Sequence, residues 1–206
     1  VETGDIKAIA NLKRNKNGNY WEAVNYAVGE STVPGSTFKA VSLLIALEDN
    51  KISIFDTVDI GNGRTYYYGV KVEDSGDKYK GKITVQKAFE ISSNVGITKL
   101  IYQHYKDREK DFINAIYKLG LNKPLGLEIK GEGAPFIKSP DHAEWSGVSL
   151  PMMSYGYELT MTPLQILAFY NGIANKGTMV KPRFVESINY RGELKKDIKP
   201  EILNNR

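Results

Sequence analysis

The sequence predicts an α+β fold, and three observations predict it. Apolar residues recur at helical spacing over several stretches in the middle of the chain, from residue 41 to residue 119, and again over 163–175. Short apolar runs that read as strands lie near the two ends, at residues 5–12 and 179–185. Loops rich in Gly, Pro, Asn and Ser separate these segments. With 41% hydrophobic and 25% charged residues, the 206-residue chain has an ordinary globular composition. That excludes a disordered tail, a collagen-like fibre and a low-complexity linker. The length suits one domain or slightly more and allows a core that needs no disulfide or metal staple.

Residues 5–12, with Ile6, Ala8, Ile9 and Ala10 entered through Thr3-Gly4-Asp5, read as the second strand of a hairpin. Residues 13–35 read as a loop. Val41, Leu43, Leu44, Ile45 and Leu47 mark a largely buried helix, and Pro34-Gly35-Ser36-Thr37 marks its start, with Ser or Thr as cap. Residues 51–81 carry five glycines and Tyr66-Tyr67-Tyr68, and read as an irregular stretch with one short hairpin on the surface. A helix over 84–91 breaks at Ser92-Ser93-Asn94, and a further helix follows over 95–105. Another over 108–119 stops at Gly120, and 121–150 is a long loop, with Trp145, Met152 and Met153 packed beneath it. The clearest helix is 163–175: Thr162 can cap it, Pro163 suits its first turn and Gly177 ends it. Pro182 places the strand over 179–185 at an edge. No internal repeat is visible.

Charge excludes some partners. The net charge is +4, from 28 basic and 24 acidic residues, too mixed for a nucleic-acid footprint. Lys13-Arg14-Asn15-Lys16 and Lys195-Lys196 read as solvated loops. No run approaches roughly 18 apolar residues, the length that spans a bilayer. The first residues lack the pattern of a signal peptide and there is no initiator Met, so the chain reads as a piece of a longer protein.

Chemistry has few carriers. With no cysteine there is no disulfide framework, thiolate metal site or thiol nucleophile. His104 and His142 lack metal-ligand spacing, and Ser139, Asp141 and His142 are too close in one loop to form a triad. No phosphate-binding loop occurs. Ser36 and Lys39 stand three residues apart at a helix start, where hydroxyl and amine share a face. Unpaired N–H groups and the positive end of the dipole favour a developing oxyanion there. A lysine in a partly dry site loses proton affinity and can act as a base. The alternative is a capping serine beside a surface lysine. At the helix break, Ser92 could relay a proton between the lysine and a leaving group, and Asn94 could hold a substrate amide and the lysine together by hydrogen bonds, or the trio could simply stop a helix.

In this order, Pro34-Gly35-Ser36-Thr37-Phe38-Lys39 and Ser92-Ser93-Asn94-Val95-Gly96 resemble the S-x-x-K and S-x-N motifs of penicillin-binding protein transpeptidase domains and serine β-lactamases. The opening residues 1–11 resemble the hairpin that precedes the active-site serine in that family. Residues 154–182 are similar to the monofunctional, class B, cell-division type, through Tyr155-Gly156-Tyr157-Glu158, Leu159-Thr160-Met161-Thr162-Pro163, Asn175-Lys176-Gly177 and Lys181-Pro182. The Ser154-Tyr155-Gly156-Tyr157-Glu158 version is similar to Bacteroidetes members. The third family motif, K-[ST]-G, is absent from these residues, since Lys176-Gly177-Thr178 has the wrong order.

The resemblance implies a serine β-lactamase/D,D-transpeptidase-like α+β fold, here mainly its helical part with an incomplete sheet, and one partial domain over 1–206. It implies a D,D-transpeptidase cross-linking peptidoglycan in division through an acyl-enzyme on Ser36, inhibited by β-lactams and needing no cofactor or metal. Lys39 is then the base, while Ser92 and Asn94 are catalytic and bind the D-Ala-D-Ala stem peptide. The expected setting is a periplasmic domain of an inner-membrane-anchored protein beside division partners such as a glycosyltransferase. The lone 206-residue chain is expected to acylate poorly without K-[ST]-G. A β-lactamase or D,D-carboxypeptidase, and a non-catalytic sensor of β-lactams or wall peptides, remain as alternatives. Glu158 and Thr160 are expected to fix local structure.

Overall fold

A computed structural model describes residues 1–76 and 78–205, which leaves Asp77 and Arg206 outside the described residues. The chain forms two compact units, each assembled from separated segments. One comprises Val1–Thr32, Leu119–Phe136 and Met161–Arg206; the other comprises Val33–Lys118 and Ile137–Thr160.

The first unit is built on β1 (Leu12–Arg14), β2 (Tyr20–Glu22), the single turn α1 (Tyr26–Gly29), helix α7 (Pro163–Ala174) and strands β9 (Thr178–Val180), β10 (Ser187–Tyr190), β11 (Glu193–Asp197) and β12 (Ile202–Asn205). Helix α7 starts as its sequence dictates. The Thr162 hydroxyl accepts the Gln165 N–H while the Gln165 amide oxygen accepts the Thr162 N–H, a reciprocal cap with Pro163 at the first turn. Leu164, Ala168, Met179, Val28 and Leu125 form the core of this unit, with Ile6, Leu127 and Phe184 packed at its margin. Glu132 ties down the adjoining loop: its carboxylate accepts the backbone N–H groups of Leu125, Gly126 and Leu127.

Several expectations change here. Residues 5–12 are not a regular strand: Asp5 and Ile6 make one parallel bridge to Arg183, and Ile9 stays 40% exposed. Residues 13–35 hold the β1–β2 hairpin, whose strands lie wholly on the surface and so carry no alternating apolar signature. The strand over 179–185 is shortened to β9, which pairs with β12, and Pro182 takes the chain out of it. On α7, three of the apolar residues in the helically spaced run over 163–175, Leu167, Tyr170 and Ile173, are exposed.

The second unit carries a 3₁₀ turn (Gly35–Phe38) running into α2 (Lys39–Glu48), then β3 (Thr57–Asp59), β4 (Arg64–Tyr67), β5 (Val70–Glu73), β6 (Lys82–Thr84), α3 (Val85–Glu90), α4 (Asn94–Tyr105) and α5 (Glu109–Lys118). Beyond β7 (Phe136–Ile137), where the chain passes between the units, come α6 (Ser149–Met153) and β8 (Leu159–Thr160). The stretch 51–81 is two nested hairpins rather than one, with β4–β5 projecting from β3–β6. Tyr66 and Tyr68 lie exposed on the inner hairpin, and Tyr67 packs edge-on against Tyr102. The helix at 149–153 interrupts the predicted loop, and Met153 enters the core with no exposed surface.

Helix α4 is the axis of this unit, and α2, α3, α5 and α6 all pack on it. Ile97, Ile101, Tyr105, Phe112, Ile116 and Ile45 fill the interface, each with at most 1% of its surface exposed. Both helices flanking the Ser92-Ser93-Asn94 break are capped by their own sequence. The Thr84 hydroxyl accepts the Lys87 N–H, and the Ser93 hydroxyl accepts the Gly96 N–H. The break therefore sits at a fixed place, between two helix ends anchored in one core. No helix among the described residues is long and apolar enough to cross a membrane.

Candidate active site

Ser36, Lys39, Ser92 and Asn94 all fall in the second unit, on two neighbouring structural features. Ser36 occupies the 3₁₀ turn and Lys39 is the first residue of α2; the Lys39 N–H donates to the Ser36 carbonyl. With three residues per turn, positions i and i+3 of such a turn lie above one another. Neither Ser36 nor Thr37 caps the helix, as Thr37 Oγ1 instead donates to the Pro34 carbonyl at 2.8 Å. Ser36 is exposed, and its hydroxyl makes no hydrogen bond among the described residues.

Lys39 is not a surface lysine. It is 1% exposed, and its Nζ donates to the Ser92 carbonyl at 2.5 Å and to Ser92 Oγ at 2.9 Å. Burial pushes its pKa down to about 8, with Asp74 partly opposing the fall. About one amine in ten is then neutral at pH 7, against about one in three thousand for an ordinary lysine. The structure joins Lys39 to Ser92 directly. It does not join Lys39 to Asn94: the Asn94 amide donates to the Glu73 carbonyl at 2.8 Å.

The backbone here is held from two sides. Ser92 lies in the left-handed region at φ 55°, which turns its side chain out of the α3–α4 line toward Lys39. Asp74, one residue past β5, binds the same turn, accepting from Ser93 Oγ and from the Val95 N–H, each at 2.8 Å. On the other side, the Gly35 N–H donates to the Gly156 carbonyl at 3.1 Å. Gly156, at φ 93°, lies so close that a Cβ there would stand 2.0 Å from the Gly35 carbonyl oxygen. The buried Ser154 hydroxyl meets Thr98 Oγ1 at 3.0 Å and donates to the Pro151 carbonyl, while Ser42 Oγ donates to the Ser154 carbonyl. Tyr155-Gly156 is thus braced against the serine's turn. Glu158 and Thr160 stand apart from this contact; the Glu158 carboxylate accepts from Lys138 and from Ser149 Oγ at 3.2 Å.

Sequence reasoning missed Asp74 and left Gly156 without a role. Asp74 sits in a glycine-rich stretch with no periodicity, and its partners lie about twenty residues further on. Among the described residues, no group of three or more acidic or histidine side chains is placed to hold a metal ion.

Known proteins share this arrangement of chain. The family model described as penicillin binding protein transpeptidase domain matches residues 1–206. The peptidoglycan D,D-transpeptidase FtsI of Buchnera aphidicola is 30% identical over 183 residues, covering 86% of this chain and 30% of that protein. PbpB, a penicillin-binding protein of Mycolicibacterium smegmatis, is 30% identical over 178 residues, covering 86% of this chain and 26% of its own length. Penicillin binding protein 3 of Mycobacterium tuberculosis, solved alone and complexed with ampicillin, superposes with a TM-score of 0.74 at 28% identity, over 87% of this chain. In those structures the match covers 39% and 38% of the solved chain, so the present chain spans about a third of the length of its relatives. The chain belongs to the penicillin-binding protein transpeptidase family.

Proposed function

We propose that this chain carries the nucleophile and base of a peptidoglycan D,D-transpeptidase that acts in cell division. The observation that supports this most directly is the buried Lys39 amine, shifted by desolvation toward neutrality and bonded to Ser92 within one turn of an exposed serine. Ser36 Oγ attacks the carbonyl of the D-Ala-D-Ala bond of a stem peptide, and its proton passes to neutral Lys39 Nζ. The Ser36 N–H lies in the first turn of the 3₁₀ helix, where donors have no partner within the turn, and faces the developing oxyanion. Lys39 then returns the proton through Ser92 Oγ to the leaving D-Ala amine, which departs and leaves an acyl ester on Ser36. An amine of a second stem peptide attacks that ester, forming the cross-link and freeing Ser36. Asn94, held by the Glu73 carbonyl, keeps its amide oxygen for the substrate backbone. A β-lactam follows the first half of the path and stays on Ser36.

On this reading the domain works in the periplasm, in a protein anchored to the inner membrane beside division partners such as a glycosyltransferase. The test is intact mass after the native-length protein meets excess penicillin. One covalent adduct on the protein, absent in Ser36→Ala, is the expected result. Steady penicillin turnover would instead mark a β-lactamase. The 206-residue chain, which holds no K-[ST]-G, is expected to take up the adduct far more slowly.

A further inference from the structure

Asp74 does more than end a hairpin. Together with Glu73 it binds three consecutive residues at the start of α4: Ser93 through its hydroxyl, Asn94 through its side-chain amide, and Val95 through its backbone N–H. The hairpin end is itself anchored, since the Asp74 N–H donates to the Gly63 carbonyl and the Glu73 carboxylate is paired with Arg64 and Lys71. Ser92, which receives the Lys39 amine, is the next residue back along the chain. We infer that Asp74 is a positioning residue for acyl transfer, fixing the Ser92–Asn94 turn against Lys39 by its grip on Ser93 and Val95 and holding its negative charge beside the turn that receives the Lys39 amine.

The inference rests on the transpeptidase reading of Ser36 and Lys39. Its electrostatic half follows from what surrounds the amine. Ser92 presents only an uncharged hydroxyl and carbonyl, and the Glu73 carboxylate is engaged by two cations. Among the described residues Asp74 is the charged group acting on Lys39, and it favours the protonated amine. A carboxylate that only capped α4 would stabilise the helix without this second effect.

The experiment measures penicillin acylation of the native-length protein against pH, for wild type, Asp74→Asn, Asp74→Glu and Ser93→Ala, with melting temperatures alongside. Asp74→Asn removes the charge while keeping the shape. Its acid-side midpoint is expected to fall by roughly half a pH unit or more, because the neutral amine has lost a neighbour that favoured its proton. Its high-pH plateau is expected to drop by about tenfold or more, as for a small misplacement of catalytic groups. Ser93→Ala removes one of the same hydrogen bonds but leaves the charge, so its plateau falls and its midpoint stays. Asp74→Glu keeps the charge and displaces the grip, and is expected to behave like Ser93→Ala. An Asp74→Asn protein with the wild-type plateau, or with a lowered plateau and an unmoved midpoint, overturns the inference. Should Asp74→Asn fail to fold, a wild-type plateau in Asp74→Glu overturns it as well. A wild-type protein that takes no adduct on Ser36 overturns the functional reading itself, and this inference with it.

Discussion

Replacing Gly156 by alanine should disable acylation through the backbone alone. The new Cβ would stand 2.0 Å from the Gly35 oxygen and 2.7 Å from its carbon and nitrogen, whereas ordinary contact begins at 3.4 Å. Something must therefore move by about 1.4 Å, and the atoms in the way are backbone rather than a flexible side chain. The residue after Gly35 is Ser36. A displacement of about 1 Å in a reacting group costs on the order of a hundredfold in rate, so acylation by a fluorescent penicillin should slow by at least that factor. Strain adds a second cost: an alanine at positive φ loses about 1–2 kcal/mol. That corresponds to a melting temperature lowered by about 2–8 °C at this size. Gly69 supplies the control, since its φ is 83° and nothing lies within 4 Å of the added carbon. Gly69→Ala should share the thermal loss and keep the rate. If Gly156→Ala acylates as fast as Gly69→Ala, the bracing of the serine's turn by Tyr155-Gly156 is wrong.

Three further outcomes follow from the charges. If Lys39 is the base proposed above, acylation needs its neutral amine, and the rate should rise tenfold per pH unit below about 8 and level off above it; a midpoint near 10 would show a solvated lysine. The unfolded chain keeps the Lys39 proton up to its ordinary value of 10.5, while the folded chain releases it near 8, so stability gains between those two pH values. Lys39→Met should accordingly abolish the adduct yet raise stability at neutral pH by about 1–3 kcal/mol, and chemical denaturation reads both sign and size. In the other unit, the Arg183 guanidinium and then Lys7 hold the Asp5 carboxyl well below the usual range. Its stabilisation is fully present above the unfolded carboxyl value near 4 and is lost progressively as pH falls from there toward the lower folded value, so Asp5→Asn should lower the melting temperature most at pH 7 and by steadily less as pH drops below 4.

The longer helices were legible because their signals are local, whereas the short α1 and the start of α6 fell in segments read as loop. Thr84, Ser93 and Thr162 cap the helices that follow them, and apolar spacing marks the faces that bury. The β1–β2 hairpin was not legible, because Leu12, Tyr20 and Trp21 stay exposed and the Asn-rich turn reads as loop. Residues 5–12 misled in the opposite way: their apolar run suggested a hairpin strand, and the chain there makes only one bridge, with most of those side chains on the surface. At the candidate site, Ser36, Lys39, Ser92 and Asn94 were legible as short motifs within a longer resemblance. The link between Ser92 and the lysine was legible from the motifs as well, but the partner of Asn94 was not. That Asn94 turns to Glu73 rather than to Lys39 and that Gly156 abuts Gly35 are facts of tertiary contact, which spacing along a chain does not encode.

Those contacts also place the site in time. Lys39 and Ser92 are 53 residues apart in sequence, and the Ser42–Ser154 bond behind them closes 112 residues. Helices form on local contacts within about a microsecond, whereas long closures wait for a nucleus able to offset their entropy. A refolding chain of this kind recovers its helical circular dichroism before it recovers a competent serine. Penicillin labelling during refolding is therefore expected to act as a clock for the long-range contacts, running behind the helical signal.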